Sequence, residues 1–265
     1  MIAFAANSVL TRLALADGLV GAADFASIRI LSGAIVLAAL VWFRRRRVFD
    51  AGEVSVLTVA GLSLYAIGFS YAYVSLETGT GALILFGGVQ VTMFAGALFA
   101  GERPGKWRWI GSAVALSGLV YLLAPSGQAP DLFGAVLMAA AGIGWGCYSL
   151  VGRNIARPLE ATAANFLFSI PVAAVIWLAI GDPVAAAWNG IILAAVSGGV
   201  TSGLGYALWY SVLPKLDRSL AAIAQLTVPV IALAGGVVFL GEGLSLRFAL
   251  ASILVLGGIG ISIRR

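Results

Sequence analysis

A chain of 265 residues that is 61% hydrophobic, only 10% charged and of mean hydropathy +1.04 carries more apolar surface than one soluble domain can bury, which marks a membrane protein. The net charge of +5 and pI near 9.7 do not point to nucleic acid, because the basic residues fall between apolar stretches rather than along one face. With no histidine and one cysteine, Cys147, the chain lacks the means for Ser-His or Cys-His catalysis, an imidazole or thiolate metal site, an intramolecular disulfide or a histidine proton relay.

Apolar stretches punctuated by Gly, Pro and charge predict ten spans, each a helix because backbone polar groups in lipid must be satisfied within the segment. The first, 1 to 16, carries Asn7, Ser8 and Arg12. At 1.5 Å per residue it barely crosses a hydrocarbon core of about 30 Å, so a turn or two is expected before Met1. No basic n-region precedes it, so it does not read as a cleavable signal peptide. Span 2, 25 to 43, holds Arg29 near its start and runs into Arg44–Arg47. Span 3, 53 to 75, carries Tyr65, with Tyr71 and Tyr73 placed like an interfacial aromatic belt. Span 4, 79 to 100, follows Glu77, contains Gln90 and exits on Glu102; span 5 covers 107 to 124.

Span 6, 132 to 153, presents Trp145, Tyr148 and Ser149 at i, i+3 and i+4 and closes on Arg153. Span 7, 161 to 180, holds Asn165. Span 8, 189 to 213, repeats the aromatic spacing in Tyr206, Trp209 and Tyr210. In span 9, 219 to 240, Pro229 frees the carbonyl of Gln225 from its helical partner, and Glu242 follows the exit. Span 10 covers 246 to 263. Glycine clusters, such as Gly142, Gly144 and Gly146 or Gly198, Gly199, Gly203 and Gly205, read as surfaces on which helices pack closely or slide.

Leu76, Ala82, Gly96, Phe99, Gly101, Glu102, Ser112, Leu116 and Gly118 recur as Leu216, Ala222, Gly236, Phe239, Gly241, Glu242, Ser252, Leu256 and Gly258, at an offset of 140. Two copies result, 1–125 and 130–265, with five spans each. An odd number of crossings inverts the second copy, so the fold expected is an all-α membrane protein of ten transmembrane helices in two inverted five-helix repeats, a feature of secondary transporters. Thirteen of the 16 Lys and Arg residues lie in the even-numbered connections or at the C-terminus, which places both termini in the cytoplasm.

Charge in the bilayer centre is expensive and usually functional, yet all eleven acids fall in connections or at span ends. Asn7, Ser8, Tyr65, Gln90, Trp145, Tyr148, Ser149, Tyr206, Trp209, Tyr210 and Gln225 are therefore the candidate lining of a solute cavity, suited to an amphipathic or aromatic solute. Arg12, Arg29, Glu77, Glu102, Arg153 and Glu242 are candidate mouth or structural charges. Arg12 and Arg29 are expected near the outer mouth, drawing in an anion or paired with Asp17, Asp24 or Glu77. Glu102 and Glu242 are expected to accept hydrogen bonds from the N-terminus of the helix that follows each.

Phe-Leu-Gly-Glu242 after Pro229-Val-Ile, its partner Phe-Ala-Gly-Glu102, Arg29 early in span 2, and Gly146-Cys-Tyr-Ser149 in span 6 resemble the drug/metabolite transporter superfamily, EamA type, over essentially the whole chain. Val89 stands where the second copy has Pro229. The resemblance implies a ten-helix bundle of two inverted repeats with a central solute cavity, and export of amino acids or other small metabolites from the inner membrane of a bacterial-type cell. Neither a cofactor nor a metal is expected. The partners expected are a small-molecule solute and the lipid bilayer, with proton or other ion coupling and a homodimer left open. A receptor or assembly partner, and less readily an intramembrane enzyme, are the competing readings.

Overall fold

A computed structural model describes residues 1–45, 54–101, 104–124, 129–152, 155–181, 184–212 and 218–262, excepting the side chains of 45, 210, 218–224 and 226. Glu102 and Arg153 therefore lie outside the described residues, as does the side chain of Tyr210. Ten helices occupy the described residues. They are α1 Ile2–Leu15, α2 Ala22–Arg45, α3 Val56–Ala72, α4 Thr78–Phe99, α5 Lys106–Leu123, α6 Leu132–Gly152 and α7 Pro158–Ile180, then a composite α8, then α9 Arg218–Leu240 and α10 Leu246–Ser262. In α8 an α segment, Trp188–Val196, passes through a π-helical segment, Ser197–Leu204, into a second α segment, Gly205–Val212.

Local sequence explains where several helices begin and end. Ser55 caps α3 through a reciprocal box in which its hydroxyl accepts from Thr58 N while Thr58 Oγ1 accepts from Ser55 N. Asp131 takes the Gly134 N–H at 2.7 Å at the start of α6. Beyond α4 and α9, Gly101 and Gly241 adopt φ of +77° and +66°, a left-handed stop that a Cβ would oppose. The recurring Phe-x-Gly-Glu motif is thus a helix stop at both of its occurrences.

Five helices are long and apolar enough to cross a bilayer, covering 22–44, 78–99, 132–152, 158–180 and 188–209, with shorter apolar helices at 2–15, 56–72, 227–240 and 246–262. The outward face is apolar as well, with Phe43 80%, Val56 88%, Leu178 75% and Phe99 92% exposed. A soluble monomer does not carry such a surface; lipid solvates it. The chain is a multi-pass membrane protein.

Inside, α3 packs along α6, α2 along α7, α4 on α6 and α9, α5 along α10, and α1 on α8 and α9. Small residues permit the close crossings: a Cβ on Gly61 would lie 2.8 Å from the Gly144 carbonyl, and one on Gly144 2.6 Å from that of Gly61. Tyr73 departs from the belt expected of it. It is fully buried, its ring edge-on to Phe69 at 4.7 Å and its hydroxyl donating to the Thr78 carbonyl at 3.2 Å, because Gly81 of α4 lacks the Cβ that would exclude the ring.

Candidate functional site

A helix bundle in lipid has little hydrophobic force to assemble it, so its interior polar groups must find each other. Here they converge on Arg29, seven residues into α2. The residue is 1% exposed, buried between helices of the bundle. Arg29 Nη2 donates to the Tyr65 hydroxyl at 2.9 Å and Nε to Ser202 Oγ at 3.2 Å. The guanidinium lies 5.0 Å from the Tyr65 ring centroid and 4.8 Å from that of Phe69, within cation–π range. It pairs with none of Asp17, Asp24 and Glu77. Nη1 has no hydrogen-bond partner among the described residues.

Asn7, on α1, extends the cluster. Its Nδ2 donates to the Tyr65 hydroxyl at 3.3 Å, while its Oδ1 accepts from Ser197 Oγ at 2.5 Å and Thr201 Oγ1 at 3.1 Å. Ser197, Thr201 and Ser202 were not anticipated from the sequence. All three belong to the π segment, whose wider turn and glycine content bring α8 hard against α2: a Cβ on Gly198 would sit 2.1 Å from the Arg29 carbonyl. The available signal was the run Ser197-Gly-Gly-Val-Thr-Ser-Gly, a polar interruption of an apolar span that reads equally as a packing surface.

Aromatic rings wall this cluster. Trp145 lies 4.9 Å from Tyr65, 5.5 Å from Tyr148 in a stacked pair and 5.0 Å from Tyr206. Phe4 meets Trp145, Tyr206 and Trp209 edge-on at 6.3, 5.7 and 6.1 Å. The structure thus brings together Asn7, Tyr65, Trp145, Tyr148, Tyr206 and Trp209. Ser8 is buried beside the Tyr73 hydroxyl. Gln90, Ser149 and Gln225 are part-buried and make no described contact with the cluster. Asn165 instead accepts from Thr58 Oγ1 at 2.9 Å, joining α7 to α3.

A second polar group closes one end of the bundle. Arg12 donates through Nη1 to the carbonyls of Tyr73 at 2.9 Å and Val74 at 2.8 Å, and its Nε lies 3.7 Å from Glu242 Oε1. Its ion-pair partner is therefore Glu242 and not Asp17, Asp24 or Glu77. Glu242 also departs from expectation: it accepts from Thr78 N at 2.8 and 2.9 Å and from Thr78 Oγ1 at 2.9 Å. It caps α4, not the α10 that follows it, because the Gly241 turn points the carboxylate back across the bundle. Glu77, next to Thr78, has its carboxyl held above the usual range by partial burial, then by the charge of Glu242, with Arg12 opposing.

Residues 1–124 and 132–264 each match the EamA-like transporter family. The chain belongs to the EamA-like transporter family. Its similarity to an uncharacterized protein of Pseudomonas aeruginosa is 46% identity, covering 98% of this chain and 91% of that one. It is 30% identical to the threonine/homoserine exporter RhtA of Salmonella typhimurium, over 93% of this chain and 84% of the exporter. A solved crystal structure with 22% identity superposes with a TM-score of 0.69, covering 98% of this chain and 95% of that one, which gives the fold alone. EamA-like family members and the exporter are transporters, not enzymes.

Proposed function

We propose that this membrane transporter exports small amphipathic metabolites, amino acids foremost, by alternating access through a passage between two inverted repeats. The observation that carries the proposal is the Arg29 cluster. Its polar and aromatic groups come from α1, α2 and α3 of one half and α6 and α8 of the other, so relative movement of the halves would assemble and disperse it. The threonine/homoserine exporter among the relatives supports an amino-acid solute and outward transport.

A two-fold relation between the halves is supported by the packing of α2 on α7, α4 on α9 and α5 on α10, each helix against its counterpart, and five crossings per half would make that relation an inversion. Phe4 and Trp145, and likewise Tyr65 and Tyr206, stand 141 residues apart, the spacing that also separates Ser8 from Ser149. On this reading the protein sits in the inner membrane with both termini cytoplasmic, and the Arg12–Glu242–Thr78 group closes the outer side. The cluster itself holds no described acid, so proton coupling would run through Glu77 and Glu242 at that closure.

Counterflow in proteoliposomes tests the proposal. Radiolabelled threonine or homoserine should exchange into vesicles preloaded with the same solute faster than into protein-free vesicles. No exchange across a panel of amino acids and related metabolites would favour the receptor or assembly reading.

A further inference from the structure

One charged side-chain atom in the aromatic-walled cluster is buried with no hydrogen-bond partner among the described residues. It is Arg29 Nη1, on a residue 1% exposed. A guanidinium has five N–H groups; described residues accept one bond from Nε and one from Nη2, and none from Nη1. No described carboxylate forms an ion pair with it. Position 170, which stands at the repeat spacing of 141 from Arg29, is Ile170, so the second half has neither an acid nor a second cation at the equivalent position. Buried cations without counter-ions are rare outside functional sites.

We infer that Arg29 Nη1 is the anchor for the carboxylate of the transported solute. The inference rests on the amino-acid reading above and assigns the contact that recognises such a solute. One uncompensated positive charge matches a monocarboxylate. A phosphate, carrying about −1.5 to −2 at neutral pH, would leave net negative charge buried among rings. The guanidinium is already oriented: Tyr65 and Ser202 hold two of its nitrogens, and the Phe69 and Tyr65 faces fix its plane. The rings of Trp145 and Tyr206 adjoin that of Tyr65 and offer an apolar wall to the rest of the solute.

Titration calorimetry on the full-length protein in detergent micelles tests the assignment, with L-threonine, L-homoserine, their amides and inorganic phosphate as probes. Wild type should bind the acids at least about 10-fold more tightly than the amides, the margin of a charge-assisted hydrogen bond, and phosphate should not displace them. Arg29→Gln should bring acids and amides to equal affinity, and Arg29→Lys should keep part of the preference. Equal binding of acid and amide by wild type, or displacement by phosphate, overturns the assignment while leaving transport intact. A preference that survives in Arg29→Gln overturns it as well. If neither acids nor amides bind, the amino-acid reading fails together with it. The comparison of acid and amide on wild type decides the matter even where Arg29→Gln does not fold.

Discussion

At the scale of single residues, Tyr65 is the pivot of the interior, since its hydroxyl accepts from both Arg29 and Asn7. Tyr65→Phe keeps the ring and removes the acceptor, leaving the Arg29 guanidinium with one partner fewer. Leaving a buried donor unsatisfied costs about 1–3 kcal/mol, and more when it is charged, so the variant should melt several degrees lower in detergent. An unchanged melting temperature would mean that the guanidinium finds another acceptor. The loop carboxyls behave oppositely to each other. The Asp131 carboxyl is held below the usual range chiefly by the Gly134 N–H and then by the Ser75 hydroxyl, so its stabilising effect is present above the unfolded value and lost as pH falls through the folded one. Asp131→Asn should therefore flatten the acid limb of a stability–pH curve. The Glu77 carboxyl is raised, so its ionisation opposes folding as pH rises through its folded value, and Glu77→Gln should raise the melting temperature at neutral pH while leaving it unchanged in acid.

At the scale of elements, α8 decides the geometry of the site. A regular α-helix through 197–204 would rotate Ser197, Thr201 and Ser202 relative to one another, and the π turn is what aims two at Asn7 and one at Arg29. The close approach at Gly198 makes this testable. Gly198→Ala places a methyl against the Arg29 backbone, where overpacking costs about 1–3 kcal/mol, whereas Gly257→Ala, with open space around it, should be near neutral. Thermal unfolding of the two variants side by side checks the difference. Equal stability would mean that α2 and α8 separate easily. Sequence reasoning located span 8 within a residue at each end, found Tyr206 and read Gly198, Gly199, Gly203 and Gly205 as a surface for close packing or sliding, without assigning Ser197, Thr201 or Ser202 a role. Glycine and serine in an apolar span fit either role, and only the neighbouring helix distinguishes them.

At the scale of the whole molecule, Arg12, Glu242 and Thr78 join α1, the α3–α4 turn and the end of α9, so one ion pair with its hydrogen bonds bridges the two halves. On the alternating-access reading this closure must break in each cycle. Glu242→Gln weakens the pairing with Arg12 while keeping an acceptor for Thr78. The expected outcome is a shift toward outward opening, read as faster labelling of a cysteine placed at the buried Ser8 by a membrane-impermeant thiol reagent in a Cys147→Ser background. Labelling unchanged from the parent would place the closure elsewhere.

Residence in the membrane, the ten helical segments, the tandem recurrence and the aromatic faces were legible in the chain alone. Each is written locally, as a run of apolar residues, a spacing along one helix or a motif repeated at a constant offset. The surroundings of Arg29, the inward burial of Tyr73 and the reach of Glu242 to α4 were not. Hydropathy places a charge near a helix end but does not say how deep it sits in a bundle or which helix faces it. Those outcomes depend on contacts between residues as far apart as Arg29 and Ser202 or Thr78 and Glu242, and only the packing of the helices brings them together.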